Sequence, residues 1–358
     1  MNASTLPVRP AAHTLFLGAL QAAQAVRNHG VEACLHGMVD TLHCDFLRWH
    51  DFAKCARLAS HSSDGVIELM PVSDGTTYAF KYVNGHPYNH HHALPTVMAF
   101  GVLADVATGL PDFLCELTLT TALRTAATSA LAARALARPD SKVMALIGNG
   151  AQGEFQALAF HHILGVEEVR LFDTDPAATR KLIHNLQHTT LKLIACSSVA
   201  DCVRGADIVT TATASKTKAS ILTPELIKPG MHINGVGGDC PNKTELHPDV
   251  LHACRVFVEF EPQTRIEGDL QHMPQDFAVT ELWQVLHNPV LGRTSDADIT
   301  LFDSVGFALE DFSAMRYMRQ LAHQQGLGSW IPLVPALTNP KDLFSLIRPA
   351  EPNLAQGA

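Results

Sequence analysis

The chain has 358 residues, 47% hydrophobic and 17% charged, with a formal net charge of −9. That length suits two domains with two buried cores, and the negative balance argues against nucleic acid or an anionic membrane surface as partner. Eight scattered cysteines with no CxxC pair read as thiols in a reducing compartment rather than as a disulfide framework or a zinc site. Met1 to Pro10 carries two prolines and one arginine ahead of a mixed apolar segment broken by His13 and Gly18. It fits neither a signal peptide nor a membrane span, and no run of about twenty apolar residues occurs elsewhere, so the expected location is cytoplasmic.

In chain order, Val31 to Phe52 predicts a helix, with Leu35, Met38, Val39, Leu42, Phe46 and Trp49 at helical spacing. Strand-like runs follow at Lys54 to Ala59, Gly65 to Val72, Thr76 to Asn84, Thr96 to Asp105 and Asp112 to Leu117. Ser63-Asp64-Gly65, Ser73-Asp74-Gly75 and Thr108-Gly109 separate some of them, which is hairpin chemistry and predicts a largely antiparallel sheet. Thr120 to Ala137 reads as an Ala-rich helix. Strand and helix then alternate: Val143 to Ile147, Gln152 to Leu164, Val169 to Phe172, Ala177 to Leu186, Leu191 to Ala195, Val199 to Arg204 and Ile208 to Thr213. Further strands are expected at Met231 to Val236, Val256 to Phe260 and Thr300 to Phe302, and Phe307 to Gln324 is a last helix that returns to the first domain. Alternation of this kind predicts a parallel, doubly wound sheet. The expected class is therefore α/β, a Rossmann domain over residues 129–309 inserted in an α+β domain formed by 1–128 plus 310–358.

The junction Val143-Met-Ala-Leu-Ile-Gly-Asn-Gly-Ala-Gln-Gly153 carries a specific signal. An apolar strand ends in Gly148-x-Gly150-x-x-Gly153 and passes into a helix, the order a dinucleotide-binding βαβ unit requires. Ala151 and Gln152 would lie at the helix N-terminus, whose free N–H groups and positive dipole end suit a pyrophosphate. Asp173 closes the next strand about twenty residues on, where a carboxylate bonds a ribose 2′-hydroxyl. Thr174 and Asp175 offer no cation to a 2′-phosphate, which favours NAD over NADP. The alternative is a glycine-rich turn in an unrelated α/β protein.

Ionisable residues stand among apolar neighbours at Arg57, Glu68 and Lys81. By period two, Glu68 shares a face with Val66 and Met70, and Lys81 with Ala79 and Val83. Such charges either line a wet cavity suited to a zwitterionic amino acid or point outward from a half-exposed sheet. Arg124 is expected in the first turn of the Ala-rich helix, off its apolar stripe, where the dipole disfavours a cation. It serves an anion or is solvated at the surface. The loop Gly235-Val-Gly-Gly-Asp239 follows an apolar strand, and ligands of open parallel sheets sit outside the carboxyl ends of strands. Asp239 is thus an acid/base candidate near a nicotinamide, or an aspartate in a glycine-rich turn. Thr210 to Thr213 ends the previous strand on the same edge. His90-His91-His92 and His161-His162 lack the spacing of a metal site, so a solvated loop and a helix surface are expected, and no metal.

Several separate motifs in one order resemble the ornithine cyclodeaminase/μ-crystallin family over nearly the whole chain. They are Glu68-Leu-Met-Pro71, Phe80-Lys-Tyr-Val-Asn-Gly85, Thr96-Val-Met-Ala-Phe-Gly101, Glu116-Leu117 with Thr121-Ala-Leu-Arg-Thr-Ala-Ala-Thr128, Ile147-Gly-Asn-Gly-Ala-Gln152, Gly237-Gly-Asp-Cys-Pro241 with Lys243-Thr-Glu-Leu246, and Phe302-Asp-Ser-Val-Gly306. The resemblance implies that the α+β domain binds substrate and dimerises, with N-terminal sheets joined across a homodimer interface. It also implies an NAD-dependent cyclising deamination of L-ornithine to L-proline without net redox change. Lysine cyclodeamination, a related amino acid dehydrogenase or ketimine reductase, and a non-catalytic NAD-binding crystallin-like protein are the alternatives. Carried over, Arg57, Lys81 and Arg124 would hold the substrate carboxylate, Asp239 would handle amino groups and protons, Val305 would touch the substrate and Glu68 would be a second carboxylate. Thr96, Arg124, Gly148, Gly150, Ala151, Gln152, Asp173, Thr213, Val236, Gly237, Gly238, Asp239, Lys243 and Ser304 would contact NAD. Asn242 stands where Gly is usual, Gly153 replaces a more usual Ser, and the loop His86 to Pro95 matches poorly.

Overall fold

The structure is a computed structural model that describes residues 12–214 and 218–349. The Met1 to Pro10 segment read above, and the outer ends of the expected terminal domain, lie outside the described residues. Two eight-stranded sheets dominate. In the first, Val66–Ser73, Thr77–Gly85, Val97–Asp105 and Pro111–Glu116 form an antiparallel meander. Alternation sets its faces: Val66, Glu68 and Met70 are buried while Ile67 and Leu69 are exposed. Thr14–Leu17 extends this sheet in parallel with Pro111–Glu116, and Ser329–Ile331 pairs antiparallel at its edge. Sequence periodicity did not reveal those two short strands, nor the helix Ala19–His29.

The run Lys54 to Ala59 is not one strand. Ala53–Lys54 and Leu58–His61 each pair antiparallel with Val66–Ser73, and residues 55–57 between them leave the ladder. Competing bonds explain the break. The Arg57 N–H donates to Gln263 Oε1 at 3.1 Å, and its guanidinium reaches the Val305 and Gly306 carbonyl oxygens at 2.5 and 2.7 Å.

The second sheet is parallel throughout, in the order Lys192–Ala195, Glu168–Phe172, Val143–Ile147, Ile208–Thr211, His232–Gly235, Thr300–Asp303, Arg255–Val258, Thr280–Glu281. Apolar clusters cover both faces, one around Met144, Leu146, Phe160 and Leu182, the other around Ile147, Val209, Ile233 and Leu301. The fold is thus the doubly wound Rossmann class expected from the alternation. The chain winds one way from Val143–Ile147 and returns on its other side with Ile208–Thr211. That reversal creates the crevice where open α/β sheets bind ligands.

Helix Thr118–Leu136 is buried nearly all round, its small Ala, Ser and Thr side chains allowing close approach from several sides. With helices Val31–Leu47 and Ala308–Gln325 it forms one apolar cluster that includes Leu15 and Phe113 of the first sheet and Phe257 and Phe302 of the second. The outer face of the first sheet stays apolar and exposed. Leu58, Leu69, Tyr82 and Phe100 lie opposite one another across four strands, and the Tyr82 and Phe100 rings stack at 5.1 Å. No helix among the described residues is long and apolar enough to cross a membrane.

Candidate active site

At the crevice, the three fingerprint glycines meet three different constraints. Gly148 has φ +92°, and a Cβ there would lie 2.5 Å from the Ala212 carbonyl oxygen. A Cβ at Gly153 would meet Leu182 Cδ1 at 2.7 Å, whereas one at Gly150 would meet nothing within 4 Å. The space above Gly150 therefore remains open to a ligand at the start of helix Gly153–Leu164, beside Ala151 and Gln152. Asp173, just past strand Glu168–Phe172, accepts the Asn149 N–H at 2.6 Å, which fixes the turn against the carboxylate. This edge fits a dinucleotide: backbone N–H groups for phosphates, a carboxylate for a ribose diol and no side-chain bulk between them. Thr213 lies across the crevice, after Ile208–Thr211. Val236 to Asp239 follow His232–Gly235, and Ser304 follows Thr300–Asp303. Lys243 Nζ donates to Asp239 Oδ1 at 2.8 Å. Thr96 stands at the entrance to strand Val97–Asp105, its carbonyl accepting the His86 N–H at 2.9 Å.

A buried ionic cluster forms the other wall. Arg57 pairs with Glu68 and Glu267, each at 2.9 Å, with all three side chains no more than 6% exposed. Lys81 meets Asp311 at 2.8 Å, and Arg124 meets Glu310 at 2.6 Å and Asp311 at 2.9 Å. Arg124 is not solvated and not in the first turn: the helix begins at Thr118 and the side chain is 6% exposed. Burial works against the charge of Arg57, but Glu68, Glu267 and Asp239 outweigh it and hold its guanidinium more firmly protonated than usual. Lys81 is pushed down to about 8 by burial and by neighbouring Arg124, against the opposing pull of Asp311. Asp239, with its side chain 48% exposed, is the member that opens to solvent.

Four cluster acids were missed in the sequence: Glu259, Glu267, Glu310 and Asp311. Burial raises Glu267 to about 8 despite Arg57, and Glu310 to about 8 despite Arg124. Glu259 is also raised by burial, although Ser304 Oγ donates to it at 2.6 Å and the Gly306 N–H at 3.2 Å. It thereby fixes the Ser304-Val305-Gly306 turn on which Arg57 rests. Glu310 and Asp311 had a signal: two adjacent acids set between Phe307-Ala-Leu and Phe312 at the start of a helical run.

The model of the ornithine cyclodeaminase/mu-crystallin family matches residues 20–326. The chain belongs to this family. An ornithine cyclodeaminase of Agrobacterium fabrum is 56% identical over 318 residues, covering 89% of this chain and 90% of the relative. A solved lysine cyclodeaminase, described for its recognition of L-lysine, L-ornithine and L-2,4-diaminobutyric acid, superposes with TM-score 0.89 at 29% identity over 93% of this chain and 99% of its own. An archaeal alanine dehydrogenase dimer with bound NAD superposes with TM-score 0.81 at 25% identity over 90% and 100%. In this member of the ornithine cyclodeaminase/mu-crystallin family, Asn242 adopts φ +66°, the left-handed conformation that Asn tolerates better than most residues. The poorly matching loop holds a short 3-10 turn, Pro87–His92.

Proposed function

We propose that the protein is an NAD-dependent cyclising deaminase that converts L-ornithine to L-proline and ammonia. One observation carries this reading. Three buried cations and the half-exposed carboxylate of Asp239 converge beside the crevice that fits a dinucleotide. A protein that only binds NAD has no use for them. NAD held over the open space at Gly150 would supply a reversible two-electron acceptor for the substrate's Cα–H bond, with no net redox change. Arg57, Lys81 and Arg124 hold the α-carboxylate and so fix the face that Cα presents. Glu68 keeps one buried oxygen, Oε1, without a hydrogen-bond partner, which suits an incoming ammonium group. Asp239 takes the proton of the δ-amine, without which that amine cannot attack the α-imino carbon. Tethering helps the attack, since effective molarity contributes up to about 7–11 kcal/mol in well-oriented cases. Thr96, Gly148, Gly150, Ala151, Gln152, Asp173, Thr213, Val236, Gly237, Gly238, Lys243 and Ser304 hold NAD, and Val305 bounds the substrate.

Incubation with L-ornithine and NAD⁺ is expected to yield proline and ammonia with no accumulation of NADH. Stoichiometric NADH with an oxo acid would instead make the protein a plain amino acid dehydrogenase. L-Lysine is the competing substrate, and one methylene is worth about 1–3 kcal/mol in an apolar pocket. The ratio of kcat/KM for the two amino acids is expected to favour ornithine.

The functional unit is a homodimer joined through the outer faces of the first sheets. The ladder Leu58, Leu69, Tyr82 and Phe100 supports this, because a contiguous apolar patch of that kind marks an interaction surface. Sedimentation equilibrium is expected to return twice the chain mass, and a monomer would refute it. Cysteines without disulfide links accord with a cytoplasmic protein. In this reading the described residues within 129–309 serve NAD binding, and those within 1–128 and 310–358 serve substrate binding and dimerisation.

A further inference from the structure

Glu245, in the short strand Thr244–Leu246, is 1% exposed. Its Oε1 accepts both the Thr213 backbone N–H at 2.7 Å and Thr213 Oγ1 at 2.6 Å, while Oε2 accepts the Gly237 N–H at 2.9 Å. Thr213 follows strand Ile208–Thr211, and Gly237 follows the adjacent parallel strand His232–Gly235. One carboxylate therefore ties together two loops that follow adjacent strands at the crevice, beside Asp239. The anchor is itself anchored. Asp269 Oδ1 accepts the Glu245 and Leu246 N–H groups, each at 2.8 Å, and Asp303 accepts those of Asp269 and Leu270 at 3.1 and 2.7 Å. Glycine at 237 suits the same contact, because a Cβ there would press on the Glu245 carboxylate.

We propose that Glu245 is a positioning residue that holds the Thr213 and Gly237 loops as one unit, so that NAD is retained between removal and return of the hydride. This rests on the reading of the protein as a cyclising deaminase. Glutamate is needed because both of its oxygens accept. Glutamine places an N–H₂ donor against either the Thr213 or the Gly237 N–H, and so releases one loop. With a loop released, the cyclic imine and the reduced cofactor escape before the second transfer. Each ornithine cation and NAD⁺ consumed then leaves one 1-pyrroline-2-carboxylate, one ammonium ion, one NADH and two protons in place of proline and ammonium.

The test compares parent, Glu245→Gln, Thr213→Val and the double variant in the full-length protein. Thermal midpoint, NAD⁺ affinity by titration and NADH released per proline formed are read on each. Glu245→Gln is expected to weaken NAD⁺ binding about tenfold, the loss for a bond to a charged group, and to raise the NADH-to-proline ratio at least as much. Thr213→Val removes only the hydroxyl donor, so it should shift both readouts in the same direction by less. The double variant should fall short of the sum, because the two residues share one contact. An unchanged ratio and affinity in both single variants overturns the positioning role while leaving the activity intact. So does a loss that tracks only the unfolded fraction. If Glu245→Gln does not fold, Thr213→Val decides, and a parent-like result there counts against the proposal. A parent that binds no NAD⁺ or makes no proline overturns the functional reading itself.

Discussion

Asp239→Asn is expected to fold, to bind NAD⁺ within severalfold of the parent, and to lose kcat by about 10²–10⁴, the range for a general acid/base. Asparagine keeps an oxygen that can accept from Lys243 Nζ, now 2.8 Å from Asp239 Oδ1, so the loop should keep its shape. What disappears is the ability to take a proton from the δ-amine. An aspartate that served only the glycine-rich turn would behave in the opposite way, with a lowered thermal midpoint and near-normal turnover per folded molecule. Thermal stability, NAD⁺ titration and kcat measured on one preparation separate the two. Proline formation near the parent rate by folded Asp239→Asn would remove the residue from the mechanism.

Arg124→Ala should be the most damaging substitution for stability. Arg124 is the partner of Glu310, which is 0% exposed, and one of two cations on Asp311. Breaking a buried pair by deleting one member costs about 3–5 kcal/mol, because the remaining charge has no compensation. The deficit should depend on pH. Burial already places Glu310 at about 8, with Arg124 pulling the other way. Loss of Arg124 therefore moves this carboxyl further up. A carboxyl whose folded value lies above its unfolded value binds more protons in the folded state. Its contribution to stability consequently falls as pH rises from the ordinary carboxylate range through the folded value. Parent and variant lose stability together up to about 8, and only the variant goes on losing it above, so denaturant titrations at pH 7 and pH 9.5 should find the variant's deficit larger at the higher pH. A deficit below about 1 kcal/mol, or one that shrinks as pH rises, would mean that the cluster does not depend on this pair. Substrate affinity should fall as well, since the same guanidinium is assigned to the α-carboxylate.

Much of this architecture is visible in the sequence because its signals are local. The alternation of Val66 to Ser73 predicts which face buries Glu68, and the strand–turn–helix order around Gly148 predicts the crevice. Glycine at 148 follows from the positive φ and the close approach of Ala212, both consequences of a tight turn. The remainder is not local. Arg57 leaves its strand for partners more than two hundred residues away, Gln263, Val305 and Gly306. Thr14–Leu17 joins a strand nearly a hundred residues further on. The acids that compensate Lys81 and Arg124 come from the start of helix Ala308–Gln325. A buried charge implies a partner, but spacing along the chain does not say which one. Arg124 shows the same limit: its partners Glu310 and Asp311 lie 186 and 187 residues further on, where no spacing rule connects them to it.

Helix Thr118–Leu136 has nineteen residues and spans about 28 Å. The proposed boundary at residue 128/129 falls inside it, and its apolar surroundings draw on both sheets. A hinge needs a few residues that can absorb large changes in φ and ψ, and here one of the two links between the bodies is an uninterrupted, interior helical rod. Swinging the sheets apart would break that shared core. Widening the cleft would thus expose part of a core that both sheets share, a cost that movement of the strand-end loops at its rim does not carry.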